Sequence, residues 1–144
     1  MIILDTNVIS ALMRRRPDPL VRDWLDRQPG ESVWTTSVSV LEVRTGIESL
    51  DPGDRRTGLE QAFDALLRSD LEERILAFDV AAANVAGTIA GARRRAGRTI
   101  EVRDIQIAGI AMVRHATLAT RNTRHFEGLG LVLVDPWGTT SSAA

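Results

Sequence analysis

Short apolar runs recur along the chain and are separated by longer amphipathic stretches. A short apolar run bounded by polar turns is typical of a strand buried in a parallel sheet. We predict five such strands, at residues 2–4, 33–36, 75–78, 117–120 and 131–134. Because helical patterns lie between them, the order favours an α/β domain with a mainly parallel sheet of four to five strands and helices on both faces.

Apolar residues spaced three and four positions apart predict the helices. The predicted helices are 7–13, 18–28, one that begins at Ser39, 54–70, 79–95 and one that contains residues 104–111. Trp24 and Phe63 lie on the apolar faces of two of these helices. Such faces usually pack into the core, which is the interpretation we favour, although helices outside the central pattern can also form a groove for a partner.

Composition narrows the function classes. The 144 residues are expected to form one domain over residues 1–137, followed by a small-residue tail at 138–144 that is expected to be disordered. Cysteine is absent, which excludes disulfides, thiolate nucleophiles and Cys-based zinc sites. Because no long apolar segment and no basic leader is present, we expect a soluble, cytoplasmic chain without membrane contact.

The charged residues exclude further classes. The net charge of −1 argues against a general polyanion binder. All 18 basic residues are arginine, and clusters at 14–16 and 93–98 leave room for a local phosphate-binding strip. The second cluster also stands in the last turn of a helix, where the dipole favours cations regardless of function. The absence of lysine excludes Walker-A nucleotide sites and Schiff-base chemistry.

Three acidic residues stand where a carboxylate needs an explanation. Asp5 directly follows the first strand, Glu42 lies on or beside the inward face of a helix, and Asp104 begins an apolar stripe. Each has a simpler interpretation, because Asp5 and Asp104 fit helix N-termini and Glu42 fits a capping box with Ser39. Together, however, like charges at strand exits repel unless a cation lies between them. The three acids therefore predict a metal site with oxygen ligands.

Four polar residues near these acids would supply neutral oxygens or orienting hydrogen bonds, namely Thr6, Asn7, Thr120 and Asn122. Ordinary turn and cap chemistry also explains them. The two histidines, His115 and His125, are expected to lie at a helix end and in a turn, and neither is predicted to be a general base.

Four segments resemble the PIN-domain ribonucleases, and in particular the VapC-type toxins of bacterial toxin–antitoxin pairs. They span nearly the whole chain, at Leu4-Asp5-Thr6-Asn7, residues 37–42, residues 104–108 and residues 118–126. The resemblance implies a three-layer α/β/α fold, a Mg²⁺ or Mn²⁺ cofactor, and endonucleolytic cleavage of RNA by a water that the metal activates. It also implies inhibition by a cognate antitoxin and a homodimer, with a higher assembly formed together with the antitoxin.

The resemblance also implies roles for individual residues. Asp5, Glu42 and Asp104 match the acidic positions of the family, with Asp5 and Asp104 as the foremost direct metal ligands. Asn122 completes the catalytic set, and it stands where many relatives carry a fourth acid, so a second metal should bind more weakly than the first. Apart from the resemblance, their positive charge makes Arg14, Arg103 and Arg121 candidates for contacts with the RNA backbone, although surface arginines are usually only solvated. The apolar faces of helices 18–28 and 54–70 make Trp24 and Phe63 candidates for contact with a partner peptide inserted between them.

Two other functions stay open on the sequence alone. In a non-catalytic binding module the acids would be caps, the helices around Trp24 and Phe63 would bind a partner, and divalent ions would change nothing. An aspartyl-phosphate phosphotransferase also places an aspartate after its first strand. Against it, Asn7 replaces the second aspartate of the phosphatase pattern, and the lysine that such sites use is missing.

Overall fold

Five strands form one fully parallel sheet in the computed structural model, which describes residues 1–138. They are β1 (Ile2–Leu4), β2 (Val33–Thr36), β3 (Ile75–Leu76), β4 (Thr117–Ala119) and β5 (Val132–Val134). The order across the sheet is β3-β2-β1-β4-β5, with Ile2 of β1 opposite both Val33 and Thr117. This confirms the predicted parallel sheet. Most of the predicted tail, from residue 139 onward, lies outside the described residues.

Helices flank the sheet on both faces, which confirms the three-layer α/β/α architecture. Within residues 1–138 the α-helices are α1 (Thr6–Met13), α2 (Pro19–Asp26), α3 (Ser37–Glu48), α4 (Asp54–Ala65), α5 (Val80–Arg95) and α6 (Val102–Val113). Short 3₁₀ turns occupy Gly30–Ser32 and Thr123–Phe126, and α4 continues as a π-helical turn at Leu66–Asp70. No helix of this part of the chain is both long and apolar enough to cross a bilayer.

Several boundaries differ from the prediction by one or two residues, and capping explains the start of α3 and the end of β3. Helix α3 begins at Ser37 rather than Ser39, since the Thr36 hydroxyl accepts the Ser39 N–H at 3.1 Å and is therefore the N-cap. Strand β3 ends at Leu76 rather than at residue 78, where the chain turns so that Asp79 can cap α5 by accepting the Ala82 N–H at 2.9 Å. Local hydrogen bonds thus set both ends.

Two apolar clusters pack on opposite faces of the sheet, because successive residues of β1 point to opposite sides. Ile3 joins the cluster beneath α5 and α6, and Leu4 joins the cluster beneath α1 to α4. Trp24 and Phe63 belong to the second of these, with 9% and 1% of their surface exposed. This confirms the interpretation of both residues as core and contradicts their direct contact with a partner, because almost no surface is left to touch.

Helix α6 is held close to α5 at one glycine. A Cβ at Gly109 would lie 2.5 Å from the carbonyl oxygen of Ala82 and 3.1 Å from the Cβ of Ala86. Only glycine allows this approach without displacing backbone. The close packing fixes α6, and the first turn of α6 carries Asp104.

Candidate active site

Asp5 is a buried carboxylate between the central strand and the first helix. Only 4% of its surface is exposed, and its backbone N–H donates to the carbonyl of Ala119, which ties β1 to β4 at 2.9 Å. Oδ1 accepts the Thr6 N–H at 2.8 Å, and Oδ2 accepts the Thr120 hydroxyl at 2.7 Å. Asp5 is thus the N-cap of α1 and is also fixed by a strand on its other side.

The Thr120 hydroxyl is the centre of the hydrogen-bond network around Asp5. It is fully buried, donates its proton to Asp5, and accepts from the Asn7 side-chain amide at 3.3 Å and from the Asn122 backbone N–H at 3.0 Å. A hydroxyl has one proton and two lone pairs, so all its bonding capacity is used. Asn122 therefore joins the site through its backbone, whereas the sequence predicted a role for its side chain.

Glu42 points to the same edge of the sheet from α3. The Thr6 hydroxyl donates to its Oε1 at 2.8 Å, and Nη1 of Arg103 lies 3.5 Å from its Oε2. The Ser39 hydroxyl oxygen lies 3.0 Å from that of Thr6. The simpler interpretation of Glu42, a capping box with Ser39, is therefore wrong, because Thr36 caps the helix and the Glu42 side chain bonds to α1 and α6 instead.

Asp104 approaches from the first turn of α6 and contacts a histidine that the sequence analysis did not place in the site. Nδ1 of His125 lies 2.9 Å from Oδ2 of Asp104, with 16% of the Asp104 side chain and 53% of the His125 side chain exposed. His125 stands on the 3₁₀ turn after β4, beside the buried Phe126. An apolar residue within a polar turn was the available signal that this turn packs against the domain.

Burial and mutual repulsion raise the pKa of Asp5. Desolvation has the largest effect, and the charges of Asp104 and Glu42 raise the pKa further. Hydrogen bonds from Thr120 and Thr6 act in the opposite direction, because they stabilise the ionised form. Asp5, Glu42 and Asp104 are therefore within electrostatic reach of one another, as the sequence predicted.

The pKa of Asp104 is raised for similar reasons. Desolvation is again the largest cause, and the charges of Glu101 and Glu42 add to it. The hydrogen bond and charge of His125 oppose both. Carboxylates that disfavour each other's ionised form are stabilised by a cation between them.

The donor chemistry of these acids fits a hydrated divalent cation. No three acidic or histidine side chains within residues 1–138 are placed to coordinate one metal ion together. Mg²⁺, however, keeps several waters and is usually held by only one or two carboxylates. The site offers oxygen ligands and accumulated negative charge, which suit magnesium or manganese better than a softer metal.

Two of the three predicted RNA-contacting arginines lie at this site. Arg103 is paired with Glu42. Arg121 donates its backbone N–H to Oδ1 of Asn7 at 3.2 Å, and its guanidinium stacks on the ring of Trp137. Both are thus connected to the acid network by direct contacts.

Arg14 lies elsewhere. It is exposed and ends α1, so about 12 Å of helix separates it from Asp5. It lines a cleft of about 840 Å³ between the end of α1 and helix α4, together with Met13, Leu59 and Ala62. Arg14 therefore belongs to the rim of an apolar cleft and not to the acid site.

Known proteins resemble this chain over nearly its whole length. Residues 2–130 match the PIN-domain family. The plasmid stability protein StbB from Pseudomonas syringae pv. tomato is 37% identical over 137 residues, covering 95% of this chain and 99% of StbB. The VapC ribonuclease Y4jK from Sinorhizobium fredii is 34% identical with coverage of 95% and 98%, and toxin FitB from Neisseria gonorrhoeae is 33% identical with coverage of 95% and 99%.

A solved structure supports the same relationship. The structure of FitAB bound to an IR36 DNA fragment matches with a TM-score of 0.86 and 32% identity, covering 97% of this chain and 98% of that one. The similarity therefore extends over the whole domain, including every strand that carries a site residue.

Proposed function

This chain belongs to the PIN-domain family, and from that premise we propose that it is a metal-dependent endoribonuclease that acts as the toxin of a toxin–antitoxin pair. Two of its relatives are a ribonuclease, Y4jK, and a toxin, FitB. The observation that carries the proposal is that three separate elements place Asp5, Glu42 and Asp104 at one edge of the sheet. Thr6 bonds to both Asp5 and Glu42, and Asp104 lies within electrostatic reach of both. The cofactor is Mg²⁺ or Mn²⁺.

Asp5 and Asp104 would hold the cation, with Glu42 as the third acid. A divalent cation bound there would make an attacking water more acidic and would stabilise the charge that grows on the scissile phosphate. The protein keeps the carboxylates in place. Thr120 orients Asp5, the Thr6 hydroxyl orients Glu42, and the imidazole of His125 orients Asp104.

RNA would reach these acids from the open side of the site. Arg103 bonds to Glu42 over 3.5 Å, which is a long contact for a charged pair. Its guanidinium can therefore transfer to a phosphate oxygen of the RNA at little cost, because pairs that are partly exposed contribute little energy. We assign Arg103 to binding of the RNA backbone, next to the bond that is cut.

The partner would be a cognate antitoxin that occupies the cleft between the end of α1 and helix α4. FitB, a relative of similar length, appears in a solved FitAB assembly. The cleft has apolar walls, including Met13 and Leu59, and its charged lining consists of three arginines and one acid, namely Arg14, Arg15, Arg55 and Asp54. Such a surface suits an amphipathic peptide with acidic flanks. We therefore place the partner at this cleft and not at Trp24 and Phe63, which are buried.

A glycine in that cleft allows a clean test of the placement. A Cβ at Gly58 of α4 would have no heavy atom within 4 Å, and the same is true of Gly46 in α3. Gly58→Leu should therefore fill the cleft without disturbing the fold. The matched Gly46→Leu should also leave the fold intact, but it lies outside the cleft and should not fill it. We expect the affinity for the co-expressed antitoxin, measured by calorimetry, to fall at least tenfold only for Gly58→Leu. Equal affinities for both variants would contradict this placement.

The activity itself is tested by cleavage of a pool of structured RNAs with Mg²⁺, with Mn²⁺ and with chelator. We expect cutting with either metal, none with chelator, and a loss of at least about 100-fold in Asp104→Asn, because a direct ligand should matter more than the groups that orient it. Glu31→Gln, an acid on the exposed turn before β2, is the matched control. Cleavage by Asp104→Asn at the wild-type rate would refute the proposal.

The alternatives explain fewer of the contacts. A binding module with capping acids accounts for Asp5, which caps α1, but not for the bonds of the other two acids. The Asp104 carboxylate bonds to His125, and the Glu42 carboxylate caps no helix and bonds to Thr6. An aspartyl-phosphate enzyme needs an accessible nucleophile. Asp5 is buried, and both of its oxygens accept hydrogen bonds.

A further inference from the structure

Arg121 is fixed to the domain at both ends. Its backbone N–H donates to Oδ1 of Asn7 at 3.2 Å, and Asn7 donates in turn to the Thr120 hydroxyl at 3.3 Å and lies 3.5 Å from Asp5. Its guanidinium carbon lies 4.7 Å from the centre of the Trp137 ring. The residue therefore starts at the acid network, and its charge rests on an aromatic face.

Trp137 is itself immobilised. Its indole N–H donates to Oδ2 of Asp18 at 2.9 Å, and its backbone N–H donates to Oδ1 of Asp135 at the same distance. The ring also packs against the apolar cluster beneath α1 to α4. Asp18 caps α2, so the indole bridges the segment after β5 to the connection between α1 and α2. The Trp137 ring is thus a rigid platform beside the site.

The contact with the Trp137 ring leaves the guanidinium able to bind an anion. A cation held over an aromatic ring needs no hydrogen bond for that contact, so the five N–H donors of Arg121 are not used by it. Within residues 1–138 Arg121 takes part in no ion pair closer than 4 Å, unlike Arg103. An oriented planar cation with free donors is suited to bidentate binding of a phosphate.

We propose that Arg121 binds a phosphate of the RNA strand beside the acid site and that Trp137 is the positioning residue that holds it there. The proposal rests on the ribonuclease function proposed above and adds a second phosphate contact to that of Arg103. Because Trp137 also contacts Asp18, the platform lies beside the α1–α2 connection. The bound strand would therefore run from the acids over Arg121 toward the arginines at 14–16.

The test is RNA binding without cleavage. Asp104→Asn protein, in chelator, is titrated into a fluorescein-labelled single-stranded RNA of mixed sequence over a series of salt concentrations. We expect Arg121→Ala to weaken binding several-fold and to lower the slope of log affinity against log salt by about one phosphate contact. Trp137→Leu should have the same effect. The double variant should bind little more weakly than either single variant, because both substitutions remove the same phosphate contact.

Matched variants separate positioning from general stability. Trp137→Phe keeps an aromatic face and loses the bond to Asp18, so it should retain the salt slope. Arg121→Lys keeps the charge without the planar fork, so its affinity should lie between those of wild type and Arg121→Ala. Arg114→Ala, at the far end of α6, should leave the slope unchanged. RNA that binds with an unchanged slope in Arg121→Ala would overturn this inference alone. No RNA binding by Asp104→Asn at low salt would overturn the proposed function together with it.

Discussion

The two ends of the acid site are built differently. Asp5 is buried and is held by neutral donors, the Thr120 hydroxyl and the Thr6 N–H, which are themselves fixed by the fold. Glu42 and Asp104 lie nearer the surface, and their cationic or ionisable partners are Arg103 and His125. One end is therefore part of the core, and the other end faces the solvent.

This difference suggests a division of labour. A neutral donor in a buried position keeps a carboxylate oriented without cancelling its charge, so Asp5 remains available to a cation. A charged partner at the surface can exchange for another ion at small cost, because water screens both states. The buried end should therefore govern folding and the exposed end should govern ligand exchange. Four substitutions test this comparison.

Thr120→Val should have the largest effect, and that effect should be on folding. Valine has a similar shape but leaves Oδ2 of Asp5, the Asn7 amide and the Asn122 N–H without their partner. The cost should be about 1–3 kcal/mol. For a chain of this size that corresponds to a fall in Tm of roughly 2–10 °C in thermal melts followed by circular dichroism. Thr120→Ser keeps the hydroxyl and should melt close to wild type, and equal melting of the two variants would show that the network is dispensable.

His125→Ala should weaken metal binding and leave folding almost unchanged. The imidazole orients Asp104 but is half exposed, so its loss should lower the affinity for Mn²⁺ about tenfold in calorimetry. His115→Asn is the control, because His115 has a φ of 51°, which asparagine tolerates. Similar affinities in His125→Ala and the control would remove the assigned role from His125.

Asp5→Asn should remove the pH dependence of stability that Asp5 causes, and it should abolish the proposed activity. Because burial raises the pKa of Asp5 above its ordinary 3.8, the folded chain keeps this proton to a higher pH than the unfolded chain. The extra stability that protonated Asp5 gives the folded chain is present below pH 3.8. It is lost as the pH rises through the raised pKa that Asp5 has in the folded chain. Asparagine has no such loss.

The measurement is therefore a comparison of melting temperatures between pH 4 and pH 7 in chelator. Asparagine cannot accept both the Thr6 N–H and the Thr120 hydroxyl as Asp5 does, which lowers the Tm of the variant by a similar amount at both pH values. We therefore expect the Tm of Asp5→Asn relative to wild type to rise by a few degrees from pH 4 to pH 7. If the Tm of Asp5→Asn relative to wild type instead rose toward acid pH, the change would have the opposite sign and would contradict a raised pKa of Asp5.

Arg103→Ala should have the smallest effect on stability. The pair with Glu42 spans 3.5 Å, with 39% of the arginine and 22% of the glutamate side chain exposed. Pairs of this kind contribute about 0–1 kcal/mol, so Tm should change by roughly 2 °C or less, while RNA binding measured by anisotropy weakens several-fold. A large fall in Tm would show that Arg103 stabilises the fold. The exposed end of the site would then contribute to folding as the buried end does, which contradicts the comparison.

Sequence patterns predicted the sheet well because its signals are local. Each strand is a short apolar run, and Asp5 stands out because the first run stops at it. The alternation of strands and helices then places the ends of β1 and β4 at the same edge of the sheet. The order of elements therefore predicted the edge of the sheet at which Asp5 and Thr120 lie.

The partners of the acids could not be predicted in the same way, because they come from distant parts of the chain. Glu42 fitted a local capping box, yet its carboxylate bonds to Thr6, which lies 36 positions away. His125 lies 21 positions from Asp104 in a turn that looked polar. Trp24 and Phe63 showed amphipathic spacing, but spacing does not say which of several apolar faces the fold will leave uncovered.

The bond between Thr120 and Asp5 joins positions 115 residues apart. A ribosome makes Asp5 early and Thr120 much later, so the nascent chain carries Asp5 in water, ionised and unsupported, for most of its synthesis. The central strand β1 also lacks one neighbour until β4 has emerged. If RNA is the substrate, as proposed, the chain is made beside ribosomal and transfer RNA in an unassembled form, and its acid site is complete only as translation of the domain ends.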